Sequence, residues 1–250
     1  MASILSNLRN TVIAGIVVTI LVAALLFGWH GEGLALDHAW TAFIFRWLHV
    51  LSAIMWIGLL WYFNFVQIPN MPSIDAAMRP AISKVIAPAA LWWFRWAAMF
   101  TFLTGLILLG WIMNQQRFSL GISLGALMGT LMMLNVWLII WPNQRIVIGL
   151  DEGDKAAAAP KAGLASRTNT LFSLPMLYFM VASIHGTQAS GGVWGGDMST
   201  TALVIGLAIV VIIEANAIWG KMMSAIQSVS AVITSSVILT VIMAGVVHYA

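Results

Sequence analysis

Residues 200–219 read TTALVIGLAIVVIIEANAIW, with one ionisable side chain, Glu214, in a run that is otherwise mostly apolar. At 1.5 Å rise per residue, a helix of this length spans about 30 Å, the thickness of a bilayer's hydrocarbon core. The run is continuous rather than alternating. It therefore reads as a helix and not as a barrel strand, and lipid tolerates little else because every backbone polar group must be satisfied internally. The rest of the chain carries the same signature. Its 250 residues are 61% hydrophobic and 8% charged, whereas a soluble domain is about a quarter charged. Apolar runs predict helices near 11–28, 40–66, 91–113, 120–141, 168–187, 200–219 and 226–248. The expected fold is all-α: a polytopic transmembrane bundle of about seven helices, with residues 1–250 forming a single integral membrane domain. Arg9 precedes the first run and no small-x-small cleavage site follows it, so an uncleaved first helix is expected.

Pro69, Pro72, Pro80 and Pro88 break the chain after the second run and leave room for a short surface helix. The longest polar stretch, 142–167, reads as a loop. Basic residues orient the bundle. Arg79 and Lys84, then Arg145, Lys155, Lys161 and Arg167, then Lys221, fall in loops on the same side as Arg9. The opposite loops carry only Arg117, and the Gly-rich 188–199 stretch carries no basic residue. Lys and Arg mark the cytoplasmic side, which puts the N-terminus and the 142–167 loop in the cytoplasm and the C-terminus in the periplasm.

Composition also excludes chemistry. The chain has no cysteine, so disulfides, thiolate catalysis, Cys-ligated iron–sulfur clusters and covalently attached haem c do not apply. A net charge of +3 spread over loops is a topology bias, not a nucleic-acid surface. No P-loop, dinucleotide fingerprint, metalloprotease motif or serine elbow occurs.

In this topology all five histidines fall toward the outer side. His30 and His38 read as ordinary loop residues. His49 lies inside the second helix, where His49, Ser52, Ala53 and Trp56 share a face by three-to-four spacing. A shelf of small residues beside an inward histidine suits a flat macrocycle, and histidine is a haem ligand. The competing reading is a histidine hydrogen-bonded to a neighbouring helix. His185 ends the fifth helix at a similar level, and the pair are candidate axial ligands of one haem b. His248 matches their depth, so His49, His185 and His248 are also candidate ligands for copper or another transition metal. Pro175 should kink the fifth helix and free a backbone carbonyl.

A second polar set, Asn64, Arg95, Asn135, Asn143, Arg145, Glu214 and Asn216, falls in the inner half. It reads as a hydrogen-bond network joining helices or, alternatively, as a proton or anion path. Glu214 should be paired or protonated at membrane depth, with Arg95 or Lys221 as the available cations. Gly121, Gly125 and Gly129 repeat every fourth residue and permit close helix packing.

Three stretches carry a family resemblance: Arg46-Trp47-Leu48-His49 running to Trp56-Ile57-Gly58; Asn135-Val136-Trp137 with Trp141-Pro142-Asn143-Gln144; and Ser166-Arg167-Thr168-Asn169 through Leu174-Pro175-Met176 to Phe179-Met180. In this order they resemble the urate oxidase N-terminal domain family, the membrane half of a bacterial cytochrome c-linked urate oxidase. The first stretch is also similar to membrane proteins of the copper-resistance D type, where a similarly placed histidine is associated with haem. The resemblance implies a multi-pass protein of the bacterial inner membrane, an oxidoreductase passing electrons to a periplasmic cytochrome c. Together with the helix-face reading, the expectation is His49 and His185 as haem b ligands, with His248 as substitute, Arg46 against a haem propionate or an anionic substrate such as urate, and Trp56 and Ser52 beside the macrocycle. No Cys-x-x-Cys-His occurs in these residues, so the cytochrome would be a separate protein or domain. Two alternatives stay open: a non-catalytic subunit of a larger membrane complex, and a copper-handling membrane protein.

Overall fold

The computed structural model describes residues 2–28, 38–115, 118–189, 199–221 and 224–250, with side chains from 4–25, 38–115, 118–183, 199–221 and 224–250. The described residues are helical, without a strand. The chain comprises two compact units, 1–44 and 45–250. The first contains α1, Leu8–Gly28, whose apolar side chains are largely exposed. The helices that follow are α2, His38–Ser73; α3, Arg79–Asn114; α4, Leu120–Ile148; α5, Lys155–Ala189; α6, Thr200–Trp219; and α7, Val229–Tyr249. Among the described residues, six of the seven, all but α5, are long and apolar enough to cross a membrane.

Helix α5 sits at the centre of the second unit and packs against α4, α6 and α7. Every residue from Leu164 to Ser173 is buried, including Ser166, Arg167, Thr168, Asn169 and Thr170. A helix surrounded by other helices need not be apolar all round, which is why its hydropathy is lower than its neighbours'. The outer faces of α3, α6 and α7 instead expose Leu103, Ile107, Val211, Ile212, Val241 and similar side chains, as a lipid-facing surface does.

The prolines do not break the helices where the sequence predicts. Helix α2 runs through Pro69 to Ser73 and α3 begins at Arg79, so the expected 67–90 connection shrinks to a tight turn. A wide π-turn precedes three of the prolines. The segments Tyr62–Gln67, Ile82–Ile86 and Asn135–Ile140 end two residues before Pro69, Pro88 and Pro142. A wider turn absorbs the ring and the missing N–H without ending the helix. Just after two of these prolines an asparagine bonds back onto its own helix: Asn70 Nδ2 donates to Val66 O at 2.7 Å, and Asn143 Nδ2 donates to Ile139 O at 2.7 Å.

The 142–167 stretch is likewise mostly helical. Residues Trp141–Ile148 complete α4, which ends on the left-handed Gly149 (φ 80°). Helix α5 starts at Lys155, where Asp154 Oδ1 accepts from the Ala156 N–H at 2.8 Å and four alanines follow. The 35 residues of α5 extend about 52 Å, well beyond the apolar thickness of a bilayer.

Candidate functional site

Helix pairing sets the depth of each functional side chain. Antiparallel α2 and α5 are joined by Trp61 Nε1 donating to Ser173 Oγ at 3.0 Å and Asn64 Nδ2 donating to Ser166 Oγ at 2.8 Å. His49 lies 12 residues before Trp61, and position 185 lies 12 residues after Ser173. The two positions are therefore level, each about 18 Å from that hydrogen bond along its helix. Helix α7 runs parallel to α5, with Ser236 Oγ donating to Leu171 O at 2.7 Å. Carried along both helices, this offset sets His248 level with position 183. His49, His185 and His248 thus occupy one depth. The His185 side chain lies outside the described residues, as does His30. His248 is exposed, its ring edge-on to Tyr249 at 4.2 Å, and His38 is exposed at the first residue of α2.

His49 is turned toward α3. Its Nδ1 lies 2.9 Å from the carbonyl oxygen of Thr101 and 3.2 Å from Thr104 Oγ1. The Thr104 hydroxyl already donates to Phe100 O at 2.6 Å, so the Thr101 carbonyl requires the proton on Nδ1. Nε2 then carries the lone pair, with no hydrogen-bond partner among the described residues. Gly105 admits the ring: a Cβ there would lie 3.1 Å from His49 Cε1. One turn earlier, Arg46 holds its guanidinium 5.7 Å from the Trp111 ring, and no described carboxylate reaches it. Ser52 donates to Leu48 O at 2.8 Å and to His49 O at 3.1 Å, so its hydroxyl serves its own helix. Trp56 is 1% exposed within the central apolar core, its Nε1 buried without a partner among the described residues. An apolar groove of about 410 Å³, lined by Leu174, Leu177, Tyr178, Val181, Val237, Thr240 and Val241, lies between α5 and α7 and ends one turn below position 185.

A separate polar layer crosses the bundle about 22 Å from His49, at the level of Asn64. Asn135 Nδ2 donates to Asn169 Oδ1 at 3.0 Å and to Glu214 Oε2 at 3.2 Å, and Asn169 Nδ2 donates to Met132 O at 2.9 Å. Glu214 pairs with neither Arg95 nor Lys221, the cations expected for it. Its partner is the Asn135 amide, while Arg95 sits over Trp141 with its guanidinium carbon 3.8 Å from the ring centroid. Asn64 Oδ1, Thr168 Oγ1 and Arg167 Nη1 are buried without a partner among the described residues. Thr168 and Asn169 are the members the sequence reading left without a role. Their signal was the unbroken polar run Ser166–Thr170 inside a helix.

The urate oxidase N-terminal family model matches residues 115–247. The chain belongs to the urate oxidase N-terminal family. No curated protein and no solved structure matches it. The matched region takes in α4 through nearly all of α7. In this member of the urate oxidase N-terminal family, Asn135, Arg167, Asn169, His185 and Glu214 lie inside the match, and Arg46 and His49 lie outside it.

Proposed function

We propose that this chain is a membrane-integral redox protein that holds haem b at the level of His49 and passes electrons to a cytochrome c on the periplasmic side. The observation that carries the reading is the hydrogen bond from His49 Nδ1 to the Thr101 carbonyl at 2.9 Å. Histidines that ligate metals donate their other ring nitrogen to a carbonyl or carboxylate, which fixes the tautomer and raises ligand basicity. His49 has that arrangement, and Nε2 is left free to ligate. Small residues Ser52 and Ala53 follow it on the same helix face. Arg46, which no described carboxylate reaches, is available in this reading to an anionic group such as a propionate. His185, at the same depth on α5, is the second ligand in this reading, with His248 as its substitute.

Bound haem would supply one-electron chemistry at its iron. The protein's part is to orient His49 through Thr101, to hold an anionic edge at Arg46, and to keep the site among apolar helices. The donor in this reading is a small oxidisable anion, with urate the first to test.

The test is an optical spectrum of the detergent-purified protein, oxidised and dithionite-reduced. A Soret band with sharp reduced α and β bands of b type is expected, lost in His49→Ala. A featureless spectrum from protein purified with haem supplied, or stoichiometric haem retained in His49→Ala, overturns the proposal.

A further inference from the structure

Two guanidinium groups share one indole at the far end of the polar layer. Arg95 on α3 stacks over Trp141 at 3.8 Å and lies 5.7 Å from the Trp137 ring. Arg145, one turn beyond Trp141 on α4, lies 5.7 Å from the same Trp141 ring. Trp137 Nε1 donates to Arg95 O at 3.2 Å and locks the two helices together here. Like charges gathered on one ring repel unless an anion sits between or beside them. Among the described residues one carboxylate serves the pair: Asp151 Oδ1 accepts from Arg145 Nη2 at 2.6 Å. No described carboxylate comes within ion-pair distance of Arg95. The Nε atoms of both arginines are buried without a hydrogen-bond partner among the described residues. A guanidinium over an indole keeps its N–H groups in its own plane, and the Arg95 group with Arg145 beside the same ring suits a tetrahedral oxyanion.

The surroundings identify the carrier of that oxyanion. Trp92, Trp93 and Trp96 flank Arg95 and are 45%, 43% and 36% exposed. Exposed tryptophans mark the headgroup level of a bilayer. Immediately beyond them, Phe100 and Leu103 on α3 and Leu138 on α4 are exposed apolar side chains. A soluble anion has no use for that strip, whereas acyl chains do.

We propose that Arg95 and Arg145 form a binding site for the phosphate of an anionic phospholipid, with the acyl chains lying along the exposed faces of α3 and α4. The excess positive charge selects an anionic headgroup over a zwitterionic one, because a choline or ethanolamine would bring a third cation to the pair. This site is independent of the haem reading.

Native mass spectrometry of the full chain, released from detergent micelles supplied with phosphatidylglycerol or phosphatidylcholine, tests it. One phosphatidylglycerol should survive activation that strips phosphatidylcholine. The bound fraction should fall about tenfold in Arg95→Gln and in Arg145→Gln, the loss of a charge-assisted bond. It should be unchanged in Lys84→Gln, an exposed cation on the same helix as Arg95. Arg145 is 43% exposed, so its variant keeps the test open if Arg95→Gln does not fold. Equal retention of the two lipids, full retention in Arg145→Gln, or displacement of the lipid by inorganic phosphate would each overturn the proposal.

Discussion

The Ser236 hydroxyl on α7 donates to the Leu171 carbonyl on α5 at 2.7 Å, and Leu171 is the residue whose carbonyl Pro175 leaves without its N–H partner. A proline removes the bond to the carbonyl four residues back, and in lipid a neighbouring helix must replace it. Ser236 is 1% exposed and Leu171 is buried, so water does not compete. Ser236→Ala should lower stability by about 1–3 kcal/mol, the cost of a buried acceptor left unmade. In a Pro175→Ala background the helix restores its own bond, and the same substitution should cost much less. A double-mutant cycle on thermal unfolding in detergent measures the coupling; equal costs in the two backgrounds would show that the hydroxyl bond and the proline are unrelated.

Pro175 also shows how far the sequence could be read. The freed carbonyl follows from one residue and the geometry of a helix, but its partner does not, because Ser236 is 65 positions away and its register depends on how α7 docks. The membrane helices were legible because a bilayer demands apolar runs of fixed length. The first part of α5 was not. Hydropathy reads 155–167 as polar, while Asp154, the alanines after it and the surrounding helices make it a helix. The prolines of α2 and α3 read as breaks in the sequence because a π-turn leaves no mark in composition. The common depth of His49 and position 185 was legible from span lengths alone. That Arg95 would leave Glu214 for Trp141 was not, because charge pairing is a weak guide where an aromatic face competes.

Glycines of α4 meet α5 at unequal distances. A Cβ on Gly125 would lie 3.0 Å from Phe179 Cβ and 3.6 Å from the Met176 carbonyl oxygen, while one on Gly129 would meet nothing closer than 3.9 Å. Carbon atoms in contact prefer about 3.5–4.0 Å. Gly125→Ala should therefore destabilise by about 1–3 kcal/mol. Gly129→Ala should be neutral or slightly stabilising, since alanine favours helix over glycine by about 1 kcal/mol. Parallel melts of the two variants decide this, and equal effects would mean that the α4–α5 contact is not the one described.

The Asn135 amide donates to both Asn169 and Glu214, so it is the junction of the polar layer. Asn135→Leu removes both bonds and leaves the 7%-exposed Glu214 among apolar neighbours. The expected loss is about 3–5 kcal/mol if Glu214 is ionised, and about 1–3 kcal/mol if it is neutral. Adding Glu214→Gln to Asn135→Leu should recover part of the loss in the ionised case and little in the neutral one. Unfolding of the single and double variants in detergent reads out the charge state of the carboxyl. A loss near zero in Asn135→Leu would remove the network as a structural element.

The absence of native cysteine permits clean single-cysteine labelling. Lys155 and Thr200 are exposed at the starts of α5 and α6. With α5 spanning the membrane and the basic loops cytoplasmic, Thr200→Cys should react with an impermeant maleimide in intact cells. Lys155→Cys should react only after permeabilisation. The reversed pattern would invert the orientation, and equal reactivity from one side would mean that α5 does not cross.

Gly105 controls the position of His49. A methyl group there would stand 3.1 Å from His49 Cε1, and the ring must give way by a few tenths of an ångström. That movement strains the Nδ1 bond to Thr101 and re-aims Nε2, while the fold keeps an alanine that suits a helix. Gly105→Ala should therefore shift the haem spectrum or lower haem occupancy with little change in thermal stability, whereas Gly110→Ala, where a Cβ meets nothing within 4 Å, should leave both unchanged. Thr104→Val provides the finer comparison. It removes the 3.2 Å contact to Nδ1 and retains the Thr101 carbonyl, so the tautomer stays fixed and the spectrum should move less than in Gly105→Ala. Reduced-minus-oxidised spectra of the three variants rank them. If Gly105→Ala left the spectrum of a haem-loaded protein untouched, His49 would be a histidine that merely joins α2 to α3.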